Sequence, residues 1–274
     1  MPTTQQGDEP VQQPAEAGPR CAPGEAAGCA ICRDGLQSPF EFSFGYQPIV
    51  DLVSRSIFAH EALVRGPAGE PAGSVLGRIS DANRYHFDQA CRVVAIDLAC
   101  DLGLIERGSE KLSINFLPHA VYRPEVCIQT TLQIARKRGL DVGHVIFEVT
   151  EGDRIEDGPW FAQILREYKR QGFLTAIDDF GAGYAGLRLL ADFQPDLIKL
   201  DMDLVRNVDK LPARQAIARA VIRMAQDMRI ALVVEGIETP GERDFFLHEG
   251  VRLFQGFLFA RPVFRGLARA ADAI

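Results

Sequence analysis

The strongest constraint on this chain is a series of eight short apolar runs between residues 44 and 259, with helical patterns between most of them. The runs are residues 44–52, 57–64, 111–116, 144–149, 174–178, 197–200, 231–235 and 253–259. Each is short, as a buried strand is, and rich in branched apolar residues. Between them, Phe87, Cys91, Val94 and Leu98 recur at spacings of 4, 3 and 4, which puts them on one helical face. Phe161, Leu165 and Tyr168 do the same, as do Ile217, Val221, Met224 and Met228. Gly139, Gly172 and Gly250 each follow a helical stretch, where a left-handed cap favours glycine. Thr239, Pro240 and Glu242 read as a capping box opening the last long helix.

Strands alternating with helices build a parallel α/β sheet. Their number favours closure into a (βα)8 TIM-like barrel over an open doubly wound sheet. Only residues 53–56 separate the first two runs. That is too short for a crossover helix, so the first strand is expected to be antiparallel to the rest.

Residues 1–38 differ in composition from the remainder of the chain. No aromatic residue precedes Phe40, and Pro, Gly, Gln and Ala dominate. Such a segment buries too little apolar area to offset its ordering entropy, so a disordered tail carrying Cys21, Cys29 and Cys32 is expected. The barrel is expected over residues 39–267, with 268–274 as a C-terminal end. A chain of 274 residues can bury a full core without disulfides or a structural metal. Its net charge of −7 does not draw it to DNA, RNA or an anionic membrane. No apolar run has the length of a membrane span, and Met1 to Pro19 lacks the features of a secretory signal. A cytoplasmic location is expected, with the cysteines as reduced thiols.

The polar residues inside the apolar runs carry the chemistry. Glu61 lies in the second run, Asn115 ends the third, and Glu148 sits in the fourth with Glu151 just after it. Asp178 and Asp179 end the fifth, Lys199 lies inside the sixth with Asp201 beyond, Glu235 ends the seventh and Gln255 lies in the eighth. A buried charge costs several kcal/mol unless it is paired or bound to metal. One such residue is unremarkable, as a satisfied core polar group or part of a salt-bridge layer. The whole set falls near the C-terminal ends of the strands, where barrel active sites lie, and has no equal set of internal cations. Oxygen ligands suit hard divalent ions such as Mg²⁺ or Mn²⁺, and adjacent Asp178 and Asp179 can flank two of them. Paired ions suit attack of water on a phosphodiester.

These residues also carry a family likeness. Tyr46-Gln47-Pro48-Ile49-Val50-Asp51 and Glu61-Ala62-Leu63-Val64-Arg65 closely resemble the signature of EAL-domain cyclic di-GMP phosphodiesterases. The likeness continues through Asn115, Glu148-Val149-Thr150-Glu151, Asp178-Asp179-Phe180-Gly181-Ala182-Gly183-Tyr184, Lys199-Leu200-Asp201, Glu235-Gly236-Ile237-Glu238 and Gln255-Gly256-Phe257. No single tripeptide is specific, but the ordered series over residues 40–265 is. The resemblance implies hydrolysis of cyclic di-GMP to linear pGpG with two divalent cations, Mg²⁺ or Mn²⁺. It implies that Glu61, Asn115, Glu148 and Asp178 ligate one ion, and Asp178, Asp179 and Glu235 the other. Lys199 and Gln255 would serve the attacking water or substrate, with Glu235 among the catalytic groups. Leu63, Arg65, Gln47 and Asp201 would border the substrate. Glu151 would hold the loop containing Phe180, Gly181 and Gly183, which joins the metal site to a homodimer interface. The family often has Thr at Ala182, Ser at Ala185 and an aromatic residue at Gly66, and none of these departures removes a ligand.

Two other readings compete. A catalytically inactive cyclic di-GMP receptor or protein-interaction module would share the fold, but the intact acidic set with Lys199 favours an enzyme. The tail cysteines have C-x7-C-x2-C spacing, which without a nearby fourth ligand is weak as a zinc or redox site. Cys91, Cys100 and Cys127 fall on helical patterns and read as small core residues.

Overall fold

The computed structural model describes residues 38–150, 158–183 and 186–274. The strands are β1 (Ser43–Asp51), β2 (Ser56–Arg65), β3 (Lys111–Asn115), β4 (Val145–Thr150), β5 (Leu174–Phe180), β6 (Leu197–Leu200), β7 (Ala231–Val234), β8 (Leu253–Phe254) and β9 (Val263–Phe264). Strands β2 to β8 pair in sequence order, each parallel to the next. Strand β1 pairs antiparallel with both β2 and β8 and so closes an eight-stranded barrel. The tight β1–β2 turn is held by Asp51, whose Oδ1 accepts from the N–H groups of Val53 and Ser54 at 2.9 and 3.1 Å. The expected barrel and its reversed first strand are both present.

The barrel interior shows why the site lies where it does. Ile49, Ala59, Ile146, Ala176, Leu197, Val233 and Leu253 form one buried apolar cluster. Side chains alternate across a strand, so residues two apart share a face. One such step toward the C-terminal mouth from Ala59, Ile146, Ala176, Leu197, Val233 and Leu253 stand Glu61, Glu148, Asp178, Lys199, Glu235 and Gln255. On antiparallel β1 the same step runs backwards in sequence, from Ile49 to Gln47. The polar layer therefore rests on a dry apolar floor.

The longer helices outside the barrel are α1 (Arg84–Asp101), α2 (Gln129–Arg138), α3 (Gly158–Arg170), α4 (Gly186–Asp192), α5 (Pro212–Met228) and α6 (Pro240–His248). Phe87 and Cys91 of α1, and Phe161, Leu165 and Tyr168 of α3, pack inward as their spacing predicts. On α5, Val221, Met224 and Met228 pack against the core as their spacing predicts, beside the more deeply buried Ala218, Ile222 and Ala225, whereas Ile217 is 46% exposed. The two adjacent stripes have the same 4 and 3 spacing. Cys91, Cys100 and Cys127 are buried and form no disulfide among the described residues. No helix among the described residues is long and apolar enough to cross a membrane. The tail cysteines Cys21, Cys29 and Cys32, and Glu151, Tyr184 and Ala185, lie outside the described residues.

The eighth run and an added ninth strand depart furthest from expectation. The eighth run stops as a strand at Phe254, because the chain then turns to pair with the loop after β7. Ile237 N–H donates to Gln255 O at 3.1 Å, and Leu258 N–H donates to Ile237 O at 3.0 Å. A Cβ on Gly256 would stand 2.1 Å from the Ile237 carbonyl oxygen, so only glycine allows that approach. Strand β9, which pairs with Gly45 and Tyr46 of β1, is too short to leave a periodic signal.

Gly139, Gly172 and Gly250 all have positive φ. The capping box is formed at Thr239 and Glu242. Glu242 does more than cap α6. Its carboxylate accepts the backbone N–H groups of Asn207, Glu238 and Thr239 at 2.9, 3.1 and 3.1 Å. Burial pushes its pKa up, but these bonds and Arg206 outweigh burial and hold it below the usual carboxylate range. A folded pKa below the unfolded one gives stability that is full above the unfolded pKa and lost as pH falls through the folded one. Glu242→Gln is therefore expected to cost about 1–3 kcal/mol near neutrality. The gap to the wild type should close below about pH 4, as read from urea unfolding over a pH series.

Candidate active site

Four strands deliver carboxylates to Lys199, which projects from β6 and is 1% exposed. Its Nζ lies 3.2 Å from Glu61 Oε2, 3.0 Å from Glu148 Oε2, 3.1 Å from Asp178 Oδ1 and 2.6 Å from Glu235 Oε1. Two amides finish the inner ring. Gln255 Nε2 donates to Glu61 Oε2 at 2.7 Å, and Asn115 Nδ2 donates to Glu61 Oε1 at 3.0 Å. His60, the neighbour of Glu61, faces the other way and bonds Glu110 at 2.7 Å.

Asp179 reaches the site through a break in alternation. The β5–β6 register shifts between Ile177 and Phe180, and Asp179 has φ of 53°. A non-glycine residue in the left-handed region is uncommon and marks local strain of the kind found at functional sites. Without that kink, strand alternation would turn Asp179 away from Asp178.

Carboxylate oxygens of Glu61, Glu148 and Asp178 lie within 4.8 Å of one another, and so do those of Asp178, Asp179 and Glu235. Asp178 belongs to both groups. All the donors are hard oxygens, and one ammonium faces five carboxylates in a largely buried setting. Gln255 Oε1 is also buried without a hydrogen-bond partner. This donor set fits divalent cations.

The protonation balance has the same origin. Burial, with Glu61 and Asp178 nearby, pushes Glu148 up to about 8 against the pull of Lys199. Burial, with Asp178 and Asp201 nearby, lifts Asp179 to about 6. Burial also raises Glu235 well above the usual carboxylate range. For Glu61, burial is outweighed by Lys199 and by the bonds from Gln255 and Asn115, and its pKa is lowered. Burial alone would lower Lys199, but the facing carboxylates raise it well above an ordinary lysine.

The cluster opens into a cavity of about 280 Å³ that Gln47 and Asp201 also border. Gln47 Nε2 donates to Ala260 O at 3.1 Å, and Asp201 Oδ1 accepts from Asp203 N–H at 2.8 Å. Both side chains thus brace the rim as well as line it. Met202, Glu238 and Phe257 border the same cavity, although the sequence alone gave none of them a role. Glu238 and Phe257 stand inside the family motifs, whereas Met202 gave no signal. Leu63 and Arg65 line an adjoining, mostly apolar cavity of about 260 Å³, which Asn115 also borders. Arg65 Nη1 donates to Val64 O at 2.8 Å. Phe180 is buried, its carbonyl accepts from Asp201 N–H at 3.1 Å, and Gly181 follows with φ of 100°. A larger cavity of about 420 Å³, around Ile222, Ile230 and Val251, lies at the opposite end of the barrel.

A closed barrel whose mouth gathers overlapping carboxylate triads around one lysine defines a class of protein with a metal-binding active site. The EAL domain model matches residues 32–262, and the chain belongs to the EAL domain family. It is similar to a standalone EAL protein from Vibrio cholerae O395 in its c-di-GMP-bound form. That likeness has 46% identity and a TM-score of 0.81, and covers 85% of this chain and 97% of the other. Klebsiella pneumoniae BlrP1, solved as a manganese and cy-diGMP complex, is 37% identical with a TM-score of 0.78, over 85% of this chain and 58% of the other. Among curated relatives, the blue light- and temperature-regulated antirepressor BluF of Escherichia coli K12 is 35% identical over 83% of this chain. The chain spans 56% of the length of BluF. Cyclic di-GMP phosphodiesterase PdeR of the same organism is 34% identical over 48% of this chain and 20% of its own length.

Divalent cations are expected to raise the melting temperature of the protein. Saturation at a hundredfold excess over Kd corresponds to about 2.7 kcal/mol. Asp178→Asn, which weakens both triads, should remove most of that shift in a thermal melt with Mn²⁺ against a chelator.

Proposed function

We propose that this protein is a metal-dependent phosphodiesterase that hydrolyses cyclic di-GMP to linear pGpG in the cytoplasm. The observation that carries this reading is the pair of oxygen triads sharing Asp178, set against Lys199 at the barrel mouth. The cyclic di-GMP bound by similar barrels, and the phosphodiesterase names of relatives, supply the substrate class. Glu61, Asn115, Glu148 and Asp178 would hold one cation, and Asp178, Asp179 and Glu235 the other, as Mg²⁺ or Mn²⁺. Bound cations would supply charge neutralisation at the phosphate and an acidified water.

The side chains then divide the remaining work. Lys199 orients the attacking water and offsets charge that develops on the phosphate oxygens. Gln255, already bonded to Glu61, keeps its free oxygen for water or substrate. Arg65 pairs with a phosphate and Leu63 packs against the nucleotide, with Gln47 and Asp201 at the rim. Glu151 would tie the loop of Phe180, Gly181 and Gly183 to a homodimer interface, coupling assembly to the site.

The antirepressor name of BluF motivates a second reading, in which the chain binds the nucleotide or a partner without turnover. Incubation with cyclic di-GMP and Mg²⁺ or Mn²⁺, followed by chromatography, separates the two. Formation of pGpG that a chelator stops is the expected result, and binding without product would support the receptor reading. Lys199→Ala should lower kcat by about 10²–10³ or more while binding is retained with metal present. Asp178→Ala should abolish turnover, and normal activity in that variant would sink the metal assignment. Sedimentation should show a dimer, and a fully active monomer would remove the coupling role.

A further inference from the structure

Outside the mouth lies a second buried charge group that the proposed reaction does not use. Asp88 and Arg92, one turn apart on α1, are 2% and 0% exposed and pair at 2.7 Å. Arg92 Nη1 donates to the Tyr168 hydroxyl on α3 at 2.8 Å. The guanidinium also lies 5.0, 5.4 and 5.5 Å from the ring centres of Phe147, Tyr168 and Phe116. A buried ion pair often stabilises a fold no better than apolar side chains of equal volume, so its presence asks for another reason. Besides Arg92 and its neighbour Gln89, whose Nε2 donates to it at 3.3 Å, Asp88 holds a backbone group of another element, which an apolar residue cannot do. Its Oδ1 accepts the backbone N–H of Leu117 at 2.8 Å.

Leu117 lies two residues beyond Asn115. Between them, Phe116 N–H donates to Glu148 O at 3.1 Å. Its ring packs on Phe147 and Tyr168 with centroids 5.9 and 5.3 Å away. The exit of β3 is thus held at successive residues, and the first of them carries the Asn115 amide into contact with Glu61. We infer that the Asp88–Arg92–Tyr168 network is a positioning device, which fixes residues 115–117 so that Asn115 meets the Glu61, Glu148 and Asp178 triad. The inference rests on the metal phosphodiesterase reading. Asp88 also borders the cavity that holds Leu63 and Arg65, so direct contact with the nucleotide is the competing role.

The test compares Asp88→Leu, Asp88→Asn, Tyr168→Phe and the double variant Asp88→Leu with Arg92→Met. Each is measured by Mn²⁺ titration calorimetry, by KM for cyclic di-GMP at saturating Mn²⁺, and by thermal melting. Asp88→Leu and the double variant should weaken Mn²⁺ binding about tenfold or more, with KM unchanged. Asp88→Asn keeps an acceptor for Leu117 N–H and should retain most of the affinity, and Tyr168→Phe should show a smaller loss than Asp88→Leu. The double variant leaves no lone buried charge, so it should regain the melting temperature lost in Asp88→Leu but not the Mn²⁺ affinity. Wild-type Mn²⁺ affinity in the double variant, or a raised KM with affinity intact, would overturn the inference. A wild-type protein that neither binds Mn²⁺ nor cleaves the nucleotide sinks the underlying reading as well. Wild-type binding and turnover shared by every variant sinks the positioning role alone.

Discussion

The mouth of this barrel depends on one ammonium group. Lys199 stands among Glu61, Glu148, Asp178 and Glu235, each within 3.2 Å of its Nζ. Neither side of this arrangement is stable alone. The carboxylates would repel one another in a low-dielectric interior, and the lysine would lose its charge there. Because the acids come from β2, β4, β5 and the end of β7, the cluster also ties those strands around β6. The apolar layer one step below strengthens the effect, since charges above a dry floor interact with less screening.

How far the sequence carries this picture depends on how local each feature is. Alternation within a strand is local, so Glu61, Glu148, Lys199 and Gln255 could be assigned to one layer from their runs alone. The reversed β1 was legible from the length of a single turn. Asp179 was not legible in this way, because alternation sends it outward. Its place in the site was anticipated from its adjacency to Asp178 and from the family motif rather than from alternation, and the kink at Asp179 supplies the physical cause. The exposed Ile217 shows a different limit. Two neighbouring stripes on α5 share one spacing and both meet the core, except at Ile217 in the first half of the helix. Met202 borders the cavity for a tertiary reason, since a Cβ on Gly236 would fall 2.4 Å from its own Cβ. Nothing in the order of residues encodes that contact.

The turn after β7 and the turn after β8 illustrate how close backbones shape the site. Gly256 lies against Ile237, which presses the turns carrying Gln255 and Glu235 together, and Gly236 lies against Met202 in the turn after β6. Glu242 fastens the base of the same region by collecting N–H groups from residues 207, 238 and 239. The acid at the end of β7 is thereby held by backbone contacts on one side and by Lys199 on the other.

The direction of β1 has a further consequence. In a barrel of uniformly parallel strands, the chain enters at the face opposite the reaction. Here β1 begins at the mouth, with Ser43 in register with Arg65, while Phe42 and Phe40 pack against Phe87. Arg265 beside β9 bonds the Ser43 hydroxyl at 2.9 Å. The lead-in to the fold therefore shares a face with its chemistry. A displacement there has only a few side chains to cross before it reaches Arg65, which lines the cavity beside the carboxylate cluster.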